Sequence, residues 1–385
     1  MINQISRLLL ASAVTALPLY MGAAPVPEMY ALMLDSESWT DATPYGIYRL
    51  PFQDGDPIEL VNGNATGEMF EARGGAVYAN GKYFTARTFY TGGKPSRTIH
   101  YIYDTETWEL IDEFDGDPYF QASDMAYDPS SDTVYGSFAK FKEGTNVPEC
   151  YSLGKVDIST GIMTRICDLD AMWRACAFDD EGNLYAVRAG ETLCDFAKID
   201  KTTGAAEVIA ANIPPSYYLT TGTIDNDTRR FYYAICMDEG SAMCAIDLDS
   251  GKFEIPYEFP GGEAFSGMYI PIHVPEEAPS PVSGLDFDFR GPALNGNVVF
   301  EMPSYAKSGD ILVGELSYRL KINGRDYTSG KGAPGATMKV PVSVSAPGNY
   351  TVVVTASNLD GESFPVPMTQ WIGNDYPCAP AEVAM

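Results

Sequence analysis

Apolar and polar residues alternate with a period of two in short runs along almost the whole chain, and most runs end in a turn rich in Gly, Asp, Asn or Ser. That period belongs to strands with one buried face. No helix-period segment follows the N-terminal 24 residues, so the chain reads as all-β.

The runs recur. Met125–Tyr135, Cys176–Tyr185 and Gly222–Tyr232 share an apolar stretch, an Asp-rich turn and a second strand ending in Tyr; Ala76–Phe84 is a shorter copy turning at Asn80-Gly81. A second hairpin follows each: Leu153–Gly161, Phe196–Gly204 and Met243–Gly251, with a degenerate copy at Ile102–Thr107. Asp104, Asp157, Asp200 and Asp247 are thereby equivalent. Each is expected to accept backbone hydrogen bonds within its own turn, with the later Gly at positive φ; a calcium reading has too few convergent oxygens.

Four strands per repeat without intervening helices predict β-propeller blades. Blades are expected at Ala72–Gly116, Asp117–Asp170, Ala171–Asn212 and Ile213–Gly262. Three strands near Met29–Met33, Tyr45–Leu50 and Pro57–Val61 form a fifth, whose missing inner strand is Phe265–Pro271, closing a five-bladed ring over 28–273. These Ile/Val-Asp-x-x-[ST]-Gly and D-x-x-G-x-Leu-Tyr hairpins resemble those of secreted YncE-like and NHL-like propellers, a resemblance that implies a fold and no particular activity.

Val274–Pro281 reads as a stiff Pro-rich linker, 274–281. Alternating strands fill 282–374. The run Gly348–Gly361, with Tyr350, Val352, Val354 and Ala356 on one face, resembles strand F of a fibronectin type III domain. In that likeness Tyr350 occupies the tyrosine corner and bonds upstream backbone. Phe300-Glu-Met-Pro303 resembles the family's Trp-x-x-Pro with Phe for Trp, which leaves a related immunoglobulin-like sandwich open. Cys378–Val383 echoes Ala278–Val282, so 375–385 reads as the start of a further linker or domain in a shortened member. The combination resembles Bacteroidota surface proteins, implying an adhesin-like spacer or interaction role for the sandwich.

Composition adds an address. Residues 1–24 have a mildly basic start, an apolar stretch from Leu8 to Met21 and small residues at Gly22–Ala24, the pattern of a signal peptide. Export to the periplasm, cell surface or exterior is expected, with no transmembrane segment in the mature chain. With 25 Lys+Arg against 52 Asp+Glu the formal charge is −27, which repels nucleic acid and anionic membranes. The seven Cys have no zinc-type spacing, and no cofactor is expected. Cys236 and Cys244 flank a hairpin and are candidates to face each other; the alternative is that most of the Cys are small buried apolar side chains in strands.

Residues entering the innermost strands converge on a propeller's central channel. Alignment puts Arg73, Ser123, Arg174, Thr220 and Ser266 in one ring and Asp124 and Thr221 in the next, with Trp173, Tyr218 and Phe265 just upstream. Arginines in so acidic a protein suit a carboxylate-bearing ligand, and flat aromatics suit sugar rings. Against this, the arginines can pair with Asp124, Glu71 or Glu263 and the aromatics can pack between blades. The leading expectation is a non-enzymatic binding protein for a glycan or protein ligand. Its rivals are a carbohydrate-active hydrolase or lyase using Asp124, Glu71 and Glu263, and a structural spacer of an adhesin. No nucleophile elbow, P-loop or dinucleotide motif occurs, and neither His100, read as outer-strand, nor His273 suits a triad.

Overall fold

The computed structural model describes residues 28–35, 46–52, 56–62, 75–79, 81–105, 107–131, 133–158, 160–188, 193–214, 220–237, 240–271, 274–289 and 293–373. The proposed signal peptide, the segment 375–385 and the expected site residues Glu71, Arg73 and Tyr218 lie outside them.

The strands follow the repeats. After β1 (Met29–Asp35), β2 (Gly46–Leu50) and β3 (Glu59–Asn62) comes a sheet of β4 (Ala76–Ala79), β5 (Lys82–Thr91), β6 (Lys94–Asp104) and β7 (Leu110–Gly116). The next contains β8 (Phe120–Asp128), β9 (Thr133–Phe141), β10 (Pro148–Val156) and β11 (Met163–Leu169). Another holds β12 (Trp173–Phe178), β13 (Leu184–Arg188), β14 (Cys194–Ile199) and β15 (Ala206–Ile213). Then come β16 (Gly222–Asp225), β17 (Arg230–Met237), β18 (Gly240–Asp247) and β19 (Phe253–Phe259). β20 (Ala264–Tyr269) returns to pair antiparallel with β1, giving the order β20-β1-β2-β3.

The first strands of the sheets meet in a closed cycle, β4 against β8, β8 against β12, β12 against β16, β16 against β20 and β20 against β4. An apolar cluster fills each gap between consecutive sheets. Alternation explains how one strand serves two gaps: Ala175 faces the cluster with Phe231 and Tyr233, while its neighbour Cys176 faces the one with Leu153 and Trp173. A ring of sheets thus buries both faces of its inner strands, as a β-propeller does.

The repeated turns behave as expected. Asp200 Oδ1 accepts the N–H groups of Thr202 and Thr203 at 2.8 Å, and Asp247 Oδ1 that of Ser250 at 2.7 Å. Gly161, Gly204 and Gly251 hold φ of 67°, 74° and 66°. The glycine also has a packing reason: a Cβ on Gly204 would stand 2.9 Å from the Asp168 carbonyl oxygen, and one on Gly251 2.8 Å from that of Ile209, each on the last strand of the preceding sheet. At the degenerate copy Trp108 takes the positive φ, 56°.

Two expectations need correcting. Cys236 pairs with Ser241 and Cys244 with Tyr233, because the β17–β18 turn falls between Met237 and Gly240; the two thiols therefore sit on different rungs. His100 lies on β6, the third strand of four, and is no outer-strand residue.

Beyond Val274 the chain forms β21 (Ser283–Asp288), β22 (Asn295–Glu301), β23 (Leu316–Ile322), β24 (Arg325–Gly332), β25 (Thr337–Ser343), β26 (Gly348–Ser357) and β27 (Val366–Ile372). They pair as β21-β22-β25 and β24-β23-β26-β27, and the two sheets enclose one core that includes Phe300, Leu320, Val340, Val352 and Val354. The Tyr350 hydroxyl donates to the Ala346 carbonyl at 2.8 Å. The segment 274–281 is docked on this unit: Val274 and Ala278 are buried, the Ala278 carbonyl accepts Lys307 N–H at 2.9 Å, and Pro279 bridges to Ala306. Among the described residues no helix is long and apolar enough to cross a membrane.

Candidate functional site: the axis and mouth of the ring

The inner strands run with their first residues at one end of the ring and their turns at the other. At mid-depth each approaches its neighbours closely enough for polar groups to cross the axis. Asp124 on β8 is 1% exposed, and its Oδ2 accepts the N–H of Cys176 on β12 at 2.7 Å. The N–H groups of Met125 and Gly222 and the Thr221 hydroxyl lie near the same carboxyl, although Oδ1 makes no hydrogen bond of full geometry. Thr221 in turn accepts the N–H of Met268 on β20 at 2.9 Å, and the Tyr83 hydroxyl on β5 lies 3.2 and 3.1 Å from the carbonyls of Ser266 and Gly267. These contacts join all five sheets.

Burial pushes the Asp124 carboxyl well above the usual carboxylate range, and the surrounding donors pull against that shift. The same bond shapes β12. Pairing with β13 shifts register between Arg174 and Ala177, and Ala175 carries a φ of 49°, a left-handed conformation that costs a non-glycine residue about 1 kcal/mol or more. Asp124 anchors the N–H immediately after that residue.

Arg174 immediately precedes the bulge. Its half-buried guanidinium has its pKa lowered by desolvation, with the fields of Cys194, Tyr151 and Asp124 opposing; its Nε lies 3.1 Å from Met172 Sδ. The other expected residues divide clearly. Ser123 is half-buried at the β8 bulge, while Ser266, Thr220 and Thr221 are buried, Thr220 donating to the Ala234 carbonyl. Trp173 is 1% exposed with its indole N–H on Asp170 at 3.1 Å, and Phe265 is fully buried against Phe259; both rings pack between sheets. Glu263 is 3% exposed and accepts the N–H of Gly261 at 2.9 Å.

Tyr83 and several backbone N–H groups at the axis, that of Cys176 among them, escaped the sequence reading. Tyr83 is a second-strand residue that alternation places in an inter-sheet core, where it is found; only its hydroxyl reaches the axis. Cys176 contributes through its backbone, for which the side chain gives no signal.

No family model matches the chain, and no characterised protein matches it by sequence. Solved structures similar to it include TolB from Acinetobacter baumannii, at 13% identity and TM-score 0.36 over 88% of this chain and 66% of that one. A chain of a nidogen/laminin complex shows 10% identity and TM-score 0.38 over 63% of this chain and 98% of its own. XC5397 of Xanthomonas campestris, described as a gluconolactonase, shows 14% identity and TM-score 0.36 over 61% of this chain and 77% of its own. The ring described above rests on its own strand pairing.

Proposed function

We propose that the chain is an exported, non-enzymatic binding protein: a five-bladed propeller whose mouth recognises a carboxylate-bearing glycan or protein ligand, followed by a fibronectin III-like sandwich as spacer or interaction module. The observation that carries this reading is the division of labour at the axis. Arg174 is a cation partly withdrawn from water within the field of Asp124, and a guanidinium so placed binds a carboxylate through charge-assisted hydrogen bonds. Of the three candidate hydrolase carboxylates, the two among the described residues are occupied otherwise: Asp124 is sealed from solvent by the strands it joins, and Glu263 caps its own turn. A glycosidase requires two carboxyl groups facing one open bond, and these two do not offer that. The five-blade reading is supported by the closed cycle of inner strands, the sandwich reading by the shared core of the two later sheets and the Tyr350–Ala346 bond.

The test is a glycan-array screen of the mature chain with product analysis of every glycan bound. Binding of acidic glycans without turnover, weakened at least tenfold by Arg174→Ala, is expected. Cleavage of a bound glycan, abolished by Asp124→Asn, would replace this reading with the hydrolase.

A further inference from the structure

At the end of the ring opposite the mouth, the turns that follow the inner strands meet the second unit. The Asn323-Gly324 turn lies against Ser130 and Glu181, and Lys321 Nζ donates to the Asp180 carbonyl at 3.2 Å. Between the units remains a cleft of about 550 Å³, within the range of small-molecule sites, which favour domain interfaces.

Its walls have a simple chemistry. The floor is aliphatic, with Ile224, Ile270, Val274 and Val353. One wall is formed by ring turns and carries Asp180, Asp225 and Asp227; within that turn the Asp227 N–H is donated to Asp225 Oδ1 at 3.0 Å. The facing wall is one side of the β23–β26 pair, where Arg319 stands opposite Thr355 and Lys321 opposite Val353. Arg319 places Nη2 on both oxygens of Glu362, at 2.8 and 2.7 Å, so its other N–H groups are left for a further acceptor.

An acidic wall, a facing wall with two cations of which Glu362 partly offsets Arg319, and an aliphatic floor between them suit three features in one ligand: an ammonium group, a carboxylate and an apolar body. We propose that this cleft binds a zwitterionic apolar amino acid or short peptide, its ammonium toward Asp227, its carboxylate toward Arg319 and Lys321, and its side chains on the aliphatic floor. A neutral sugar leaves both charged walls unanswered, and a purely anionic ligand meets repulsion from the aspartates. This site is independent of the one at the mouth.

Titration calorimetry of the full chain with leucyl-leucine tests it, beside the N-acetylated and the C-amidated dipeptide. The free dipeptide is expected to bind, and each blocked form at least tenfold more weakly. Asp227→Asn is expected to weaken the free dipeptide about tenfold while leaving the N-acetylated form unchanged; Lys321→Met does the same for the carboxylate end, and Arg174→Ala changes nothing. No binding of the free dipeptide, equal binding of the blocked forms, or indifference to Asp227→Asn would each overturn the proposal.

Discussion

His100 is one of two histidines in the chain, and its surroundings make it a measurable liability in acid. Its imidazole is stacked between Phe84, with ring centroids 5.2 Å apart, and Phe114, at 5.3 Å, and its buried Nδ1 has no hydrogen-bond partner. Burial lowers its pKa from 6.5 to about 4. The folded protein therefore keeps the ring neutral where the unfolded chain takes up a proton. Stability from this group is complete above pH 6.5, falls as the pH drops, and levels off below about pH 4, once both states are protonated. A gap of about 2.5 pH units at about 1.36 kcal/mol per unit gives a loss of roughly 3 kcal/mol at pH 4. His100→Phe keeps an aromatic ring between the two phenyl groups and removes the titration. Carboxylates contribute their own acid sensitivity equally to both proteins. Urea unfolding at pH 7.5 and pH 4 should show the wild type losing about 3 kcal/mol more than the variant. Any packing cost of the larger Phe is the same at both pH values and cancels. Parallel losses in the two proteins would refute the argument.

Three other outcomes are expected. Asp124→Ala leaves the buried Cys176 N–H without its acceptor and should cost about 3 kcal/mol, read as a lower thermal midpoint; an unchanged midpoint would show that the axis contacts are dispensable. Gly204→Ala, where a Cβ meets the Asp168 carbonyl at 2.9 Å, should destabilise more than Gly92→Ala, where φ is also positive but the space is open; the latter should cost only about 1 kcal/mol, and equal effects in chemical denaturation would remove the packing role given to the turn glycine. Cys176 and Cys244 are buried with their thiol pKa raised by burial, so iodoacetamide on the native protein, read by peptide mass mapping, should leave them unmodified; rapid labelling of either would contradict their placement.

What the sequence disclosed depended on whether the signal was local. Period-two alternation and the repeated Asp turns reveal the strand order because each hairpin is specified by its own few residues, and the likeness of Phe265–Pro271 to the other inner strands correctly joins β20 to β1. The axis was less legible. Alignment brought Asp124 and Thr221 to one level, but it could not show that the carboxylate turns sideways to the next sheet, since the bulge there passes through Ala175, a residue with no preference for positive φ. Trp173 and Phe265 were equally ambiguous: an aromatic beside the mouth has the same spacing whether it faces ligand or core, and packing alone decides. The error at Cys236 arose from the turn's position, because moving it along the chain changes every rung of the hairpin. The prolines of 274–281 suggest a spacer, whereas Val274 and Ala278 are small enough to seat it in the second unit.

The pairing of β20 with β1 also sets a timetable. Tyr30 lies opposite Tyr269, about 240 residues further along, so the earliest strand of the ring to be synthesised waits for the last before its open edge is covered. Until then a nascent chain presents β1 as an unpaired edge beside an incomplete apolar gap, the combination that invites association with other chains. Translation pauses or truncations before residue 264 should therefore yield aggregation-prone chains, while a few residues more release a closed one. The join makes biogenesis all-or-none even though the body is assembled from similar parts.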